Sequence, residues 1–368
     1  MVMALDLLTH RRGARTLTRV RNPRRMAFGP MDHEIHGSAM VYQLGSIGIR
    51  AELDAGTGEF GAVATIFDTE VAALGLSQNG PEFGATAAGD RIYYCRADSG
   101  GWLQVWRATV SGGSVTTQQI TTSPQHKVNI LPSTDTSRAS TLIAYIAGGY
   151  VRVIDETQPD VVHNVTIALG NDTASMRWSG STSRLLACKG EAPDRGAIIE
   201  WSPGGVRTCT PGATDILYDP YGFYCPELSG EAAVVTVGPG FAGTSLRIFR
   251  THPTNNWQAV HEIPFPQQAK SFGQNFMYSV EPVFFAGKTY FLLTLTDRVG
   301  WITTDATCAQ VWVCTFGGEW TRVDAGGTNA KHHEMESYLS STDKFFVYWN
   351  EITPQGVWLW RAEVVDAA

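Results

Sequence analysis

The 368-residue chain has no run of about eighteen apolar residues, so no transmembrane helix is expected. Charge is sparse: 17% of residues against a usual ~25%. With 28 basic and 35 acidic residues the net charge is −7, which argues against a general nucleic-acid binder. The six cysteines (Cys95, Cys188, Cys209, Cys225, Cys308 and Cys314) show no C-x-x-C spacing and read as buried thiols. Only Cys308 and Cys314 are candidates for facing one another across a hairpin. There is no G-x-S-x-G, no P-loop and no G-x-G-x-x-G opening a helix. No window of a dozen or so residues holds a helical apolar period, which excludes a helical bundle and an α/β fold.

Aromatic residues are plentiful at 11%, hydrophobic residues reach 43%, and glycine numbers 38. A short β-branched or aromatic run recurs as 39–43, 91–95, 142–146, 185–189, 232–236, 290–294 and 345–349. The fourth residues of these runs (Tyr42, Tyr94, Tyr145, Cys188, Val235, Leu293 and Tyr348) are spaced by 51 residues on average. Each run is followed by a turn and a second run: 48–53, 103–107, 151–155, 197–201, 245–250, 310–314 and 357–361. Seven hairpins at this period predict an all-β, seven-bladed β-propeller. A seven-hairpin sandwich or two separate β domains are the alternatives, and the even spacing without a linker argues against the latter.

Residues 1–30 carry seven arginines against the single acid Asp6. Residues 1–14 read as a basic tail and 15–368 as one propeller. The seventh unit lacks an outermost strand, and residues 15–20 are expected to supply it and close the ring, removing an open edge. No export signal is recognised, so a cytoplasmic location is expected.

Segments leading into the hairpins are polar. They hold Asp32, His33, Glu34 and His36; then Gln125, His126, Lys127 and Asn129; then Arg177. Further along come Tyr218 to Glu227, then Asn275, Tyr278 and Glu281, then His332, His333 and Glu334. Five of nine histidines fall here. One reading is a shared axial site. The competing one is that these groups hydrogen-bond backbone between neighbouring blades. His33, His126 and one of His332 and His333, with Glu334, are the best ligands for a divalent metal such as Mn or Zn. Tryptophans such as Trp102, Trp106, Trp312, Trp358 and Trp360 are expected in the core between blades.

The segment from Gln119 through Asn129-Ile-Leu-Pro-Ser-Thr-Asp135 to Leu142-Ile-Ala-Tyr resembles the repeat of TolB-type propellers, as does Ser337 to Tyr348. One enzyme group of that superfamily is the oligogalacturonate lyases, metal-bearing propellers that cleave short uronides. A His pair there precedes a turn much as His332-His333 precedes Ser340-Ser-Thr-Asp343, although the pair here is adjacent. The resemblance implies β-elimination on an acidic oligosaccharide. In that setting His126, Tyr221 or Tyr224 would take the proton and Arg177 would pair with a substrate carboxylate. Asn129, Asn275, Tyr278 and Glu281 would contact substrate. The alternatives are a non-catalytic propeller that binds a protein, peptide or glycan through its rim, or a metal-free biosynthetic enzyme acting on a small organic molecule.

Overall fold

The computed structural model describes residues 17–77, 79–168, 174–179, 183–189, 198–209, 218–238, 244–250, 259–266, 276–285, 288–297, 308–324 and 330–366. The basic tail expected over residues 1–14 lies outside the described residues. Among the described residues the chain is almost entirely antiparallel β, with one short helix, α1 (Leu74–Ser77), and one 3-10 turn at Pro226–Leu228. No described helix is long and apolar enough to cross a membrane.

The chain divides into two compact units, one of residues 30–187 with 199–207, the other of 3–29, 188–198 and 208–368. The first unit begins with a four-stranded meander of β2 (Met31–His36), β3 (Ala39–Leu44), β4 (Ile47–Leu53) and β5 (Phe60–Asp68). The next is β6 (Glu82–Thr86), β7 (Gly89–Ala97), β8 (Leu103–Ser111) and β9 (Ser114–Gln119). A third is β10 (Val128–Pro132), β11 (Leu142–Ala147), β12 (Tyr150–Asp155) and β13 (Gln158–Ala168). A fourth is β14 (Ala174–Trp178), β15 (Leu185–Lys189), β16 (Ile198–Ser202) and β17 (Gly205–Cys209).

In the second unit, β18 (Tyr218–Cys225), β19 (Glu231–Gly238), β20 (Ser245–Arg250) and β21 (Ala259–Pro264) form another such sheet. The remaining strands form one sheet of eight. They are β22 (Phe276–Phe285), β23 (Lys288–Thr296), β24 (Ala309–Thr315), β25 (Trp320–Arg322), β26 (Lys331–Leu339), β27 (Phe345–Thr353), β28 (Gly356–Asp366) and β1 (Leu17–Phe28). Seven lie along a path in the order β1-β28-β27-β26-β24-β23-β22, and β25 pairs with β24 beside it. The two halves of this sheet meet through a single parallel pairing, Ala309 with Lys331. β1 runs antiparallel to β28 from Leu17–Asp366 to Phe28–Trp358, so it is twice the length expected of residues 15–20.

The recurrent runs are the second and third strands of each sheet. Some are buried on both faces, as in β11 and β24, where every residue is buried, while third strands such as β12 are half-buried. Burial on both faces is why the former read as continuous apolar stretches without alternation. Each fully buried Val, Leu or Phe there contributes about 1.5–3 kcal/mol. In the first unit Val41, Phe67, Phe83, Ile92 and Tyr94 pack together, as do Val151, Val153, Met176, Trp178, Leu185 and Trp201. In the second, Phe223, Val235, Ile248, Phe291, Leu293 and Trp312 form one core and Phe285, Val347, Trp349 and Val364 another.

A serine follows the first strand in three sheets. Ser133, Ser179 and Ser340 are buried, and their backbone N–H groups donate to the carbonyls of Leu142, Arg184 and Lys344 across the hairpin mouth. Cys95, Cys188, Cys225, Cys308 and Cys314 are buried and form no disulfide. Cys314 lies on β24 and faces Phe291 of β23, and Cys308 directly precedes β24, so the two thiols follow one strand and do not meet across a hairpin.

Candidate functional site

First strands carry most of the polar residues singled out from sequence, and most of them are bulged. Register slips between Met31 and His33 in β2, Val128 and Leu131 in β10, and Tyr218 and Tyr221 in β18. It slips again between Met277 and Ser279 in β22 and between His333 and Glu336 in β26. β6, by contrast, pairs with β7 without a break. Bulges insert an extra residue and re-aim its side chain. Asp32, Asn129 and Glu334 sit at these slips with φ of 47°, 50° and 52°. Asp and Asn tolerate that left-handed backbone, whereas for Glu334 it stores strain of about 1–3 kcal/mol.

In the first unit the bulges grip a common segment. The Asp32 carboxylate accepts the Gly80 N–H. Asn79 donates to the Ile130 carbonyl (3.0 Å) and to Glu82 Oε1 (3.1 Å). The bulged starts of β2 and β10 are thus tied through residues 79–80.

The hairpin ends of the same unit form a second polar layer. Asp98 accepts the N–H groups of Gly100 (2.9 Å) and Trp102 (3.0 Å), and its other oxygen accepts Gln104 Nε2 (2.9 Å). Buried Gln104 also donates to the Ser123 carbonyl and accepts Thr121 Oγ1. Lys127 is 1% exposed, and its ammonium donates to the carbonyls of Ser123 and Gln125, both at 2.6 Å. Burial lowers that ammonium to about 8 against the pull of Asp98, with Arg152 adding to the depression.

On this frame stand Trp102 and His126, their rings 5.0 Å apart. His126 is exposed, and its Nδ1 accepts the Leu103 N–H at 3.1 Å, which places the proton of the neutral ring on Nε2. Gln125 Oε1 accepts Arg152 Nη1 at 3.1 Å. Gly148, at φ 60°, lies where a Cβ would displace the Gln125 amide, so glycine suits the turn before Tyr150. Trp102 is 38% exposed and Tyr150 43%. The expectation that Trp102 is core is therefore corrected. It follows the Ser99-Gly100-Gly101 turn instead of lying within a strand, and that position is the signal the sequence offered. Trp312, by contrast, is buried.

In the second unit His332 is buried, with Nδ1 2.6 Å from Asp324 Oδ2 and Nε2 3.9 Å from Glu351 Oε1. Arg322 also pairs with Asp324. Glu351 accepts Arg25 Nη2 (2.8 Å) and Trp360 Nε1 (2.7 Å). Arg25 of β1 lies over Trp358 (4.7 Å) and Trp360 (5.4 Å). The imidazole is therefore part of the clasp that holds β1 against β28.

His33 is a buried β2 residue opposite Tyr42, and His333 is half-buried with Nδ1 3.3 Å from Glu334. Tyr221 packs on the core around Phe223, and Tyr224 and Glu281 are half-buried on β18 and β22. Arg177 is half-buried between Met176 and Trp178. Tyr278 is the extra residue at the β22 slip, and Asn275 lies outside the described residues. His33 and His126 belong to the first unit, and His332, His333 and Glu334 to the second. Among the described residues no three His, Cys, Asp or Glu side chains group closely enough to hold a metal ion. The donor set expected from sequence therefore does not fit one within them.

No protein-family model matches the chain, and no curated protein is significantly similar to it. Solved structures do resemble it. The N-terminal domain of Nup159 superposes with a TM-score of 0.53 at 10% identity, covering 96% of this chain and 97% of that one. A puromycin hydrolase gives a TM-score of 0.57 at 11% identity, covering 93% of this chain but 54% of that one. Both are β-propellers, and an all-β chain of four-stranded sheets fits that fold. One neighbour is named as an enzyme and the other is not, so the fold by itself does not choose between catalysis and binding.

Proposed function

We propose that the chain is a seven-bladed β-propeller, its last blade completed by β1, that acts as a recognition module for a peptide segment of a partner protein. Seven four-stranded meanders support the blade count, five standing alone and two sharing one parallel pairing. The Pro132-Ser-Thr-Asp135 turn supports a TolB-type repeat within the fold.

The observation that carries the binding reading is the set of Trp102, Tyr150 and Arg152 held on braced hairpin ends of the first unit. These three residue types dominate binding hot spots, and rigid presentation lowers the entropy cost of using them. Peptides selected from a random library on the whole chain should bind at least ~10-fold more weakly to Trp102→Ala and Tyr150→Ala. A library that yields no binder, or binders indifferent to both changes, overturns the reading.

A lyase acting on acidic oligosaccharides is the second reading, favoured by the five histidines gathered in the segments leading to the hairpins. Its test is the ultraviolet absorbance of an unsaturated uronide on incubation with oligogalacturonate and Mn or Zn. Product formation that is lost in His126→Ala would replace the first reading with this one.

A further inference from the structure

A cleft of about 230 Å3 opens in the first unit, lined by Arg50, Asp90, Arg91, Phe83, Ile92, Ala108 and Val110. Phe83, Ile92 and Ala108 are buried and give it an apolar floor. Two guanidiniums and one carboxylate stand around that floor. Arg50 uses Nη1 on Glu52 (2.5 Å), and Arg91 uses Nη1 on buried Glu156. A guanidinium has five N–H donors, so each keeps further donors for a ligand. The Asp90 side chain is 43% exposed, and one of its oxygens is 3.2 Å from Nε2 of His36, which lies beneath it at 9%. Burial alone would raise the Asp90 carboxyl, but the hydrogen bond and charge of His36 and the charge of Arg50 outweigh it and hold it below the usual carboxylate range.

We infer that this cleft binds a free α-amino acid with an apolar side chain. The ligand carboxylate takes the fork of Arg50 and Arg91, its ammonium takes Asp90, and its side chain lies along half-buried Val110, with Phe83, Ile92 and Ala108 buried beneath. A plain carboxylate would satisfy the guanidiniums but still be repelled by Asp90, and a plain cation would meet two guanidiniums. Only a zwitterion satisfies both signs over an apolar floor. The volume is below the ~300 Å3 at which drug-sized pockets begin, the scale of one amino acid. The cleft shares no residue with the Trp102 surface, so this inference stands apart from the peptide reading.

Calorimetric or NMR titration of the whole chain with L-leucine and L-phenylalanine tests it. Isocaproate, which lacks the ammonium, and leucinamide, which lacks the carboxylate, are expected to bind at least ~10-fold more weakly than leucine, since each loses a charge-assisted hydrogen bond. Asp90→Asn should weaken leucine and strengthen isocaproate, and Val110→Trp should abolish binding of all of them by filling the cleft. The inference fails if no amino acid binds by ~10 mM, beyond the weak end of useful affinity. It also fails if isocaproate or leucinamide matches leucine on the unmodified chain, a comparison that needs no variant to fold.

Discussion

The loops that follow β10 and β26 begin with the same device and end differently. Ser133 and Ser340 are both buried, and each Oγ accepts a backbone N–H from the partner strand, Leu142 at 3.1 Å and Lys344 at 3.1 Å. Each is followed by a Thr-Asp pair, Thr134-Asp135 and Thr342-Asp343. The first loop takes nine residues to return to its partner strand and the second takes four. In the longer loop Asp135 folds inward, accepting Ser137 N–H (3.0 Å), Ser137 Oγ (2.6 Å) and Ser183 Oγ (2.5 Å). In the shorter one Asp343 is exposed at φ 71°, and its N–H donates to the Ser340 carbonyl (3.2 Å). The serine is the constant part because it closes the hairpin mouth. The acid becomes a stitch to Ser183 only where loop length lets it reach.

The largest effect that separates the two loops is expected from Asp135→Ala, which leaves Ser137 and Ser183 without their buried acceptor. It should cost about 2–3 kcal/mol in denaturant unfolding. Acid unfolding sharpens the contrast. Burial alone would raise the Asp135 carboxyl, but hydrogen bonds from Ser137 and Ser183 and the nearby charge of Arg138 hold it below its ordinary value. A depressed folded-state value means its stabilisation is whole above the unfolded Asp value of ~3.9 and is lost as pH falls below it. Asp135→Asn should therefore flatten the acid limb of the stability curve. Ser183→Ala should cost about 1 kcal/mol, and a double-mutant cycle with Asp135→Ala should return most of that as coupling. The smallest effect belongs to Asp343→Ala, within about 0.5 kcal/mol. If Asp343→Ala matched Asp135→Ala, loop length would not be what separates the two acids.

Much of the fold was legible for a physical reason. Second strands such as β7 and β11 are covered on both faces, so Ile92 to Cys95 and Leu142 to Ile146 appear as unbroken apolar runs. First strands hid better. They are bulged, and a slip of register erases the alternation that marks a half-buried strand, as at Asp32 and Asn129. The polar residues before each hairpin were visible, but their partners were not. Nothing in the spacing of His332 announces Asp324 and Glu351, and nothing around Lys127 announces two carbonyl acceptors. Those depend on how the loop before β10 folds back on its own backbone and how β26 sits beside its neighbours, which periodicity does not report.

The pairing of β1 with β28 joins residues 17 and 366, which lie 349 positions apart. At ~5–20 residues per second, β1 leaves the ribosome roughly 20–70 s before its partner strand exists. During that interval it is an orphan edge that could recruit the wrong neighbour. Four arginines, the left-handed Asn22 and Pro23 make it a poor template for stray pairing. The same residues that complicate its register keep it available until β28 is made.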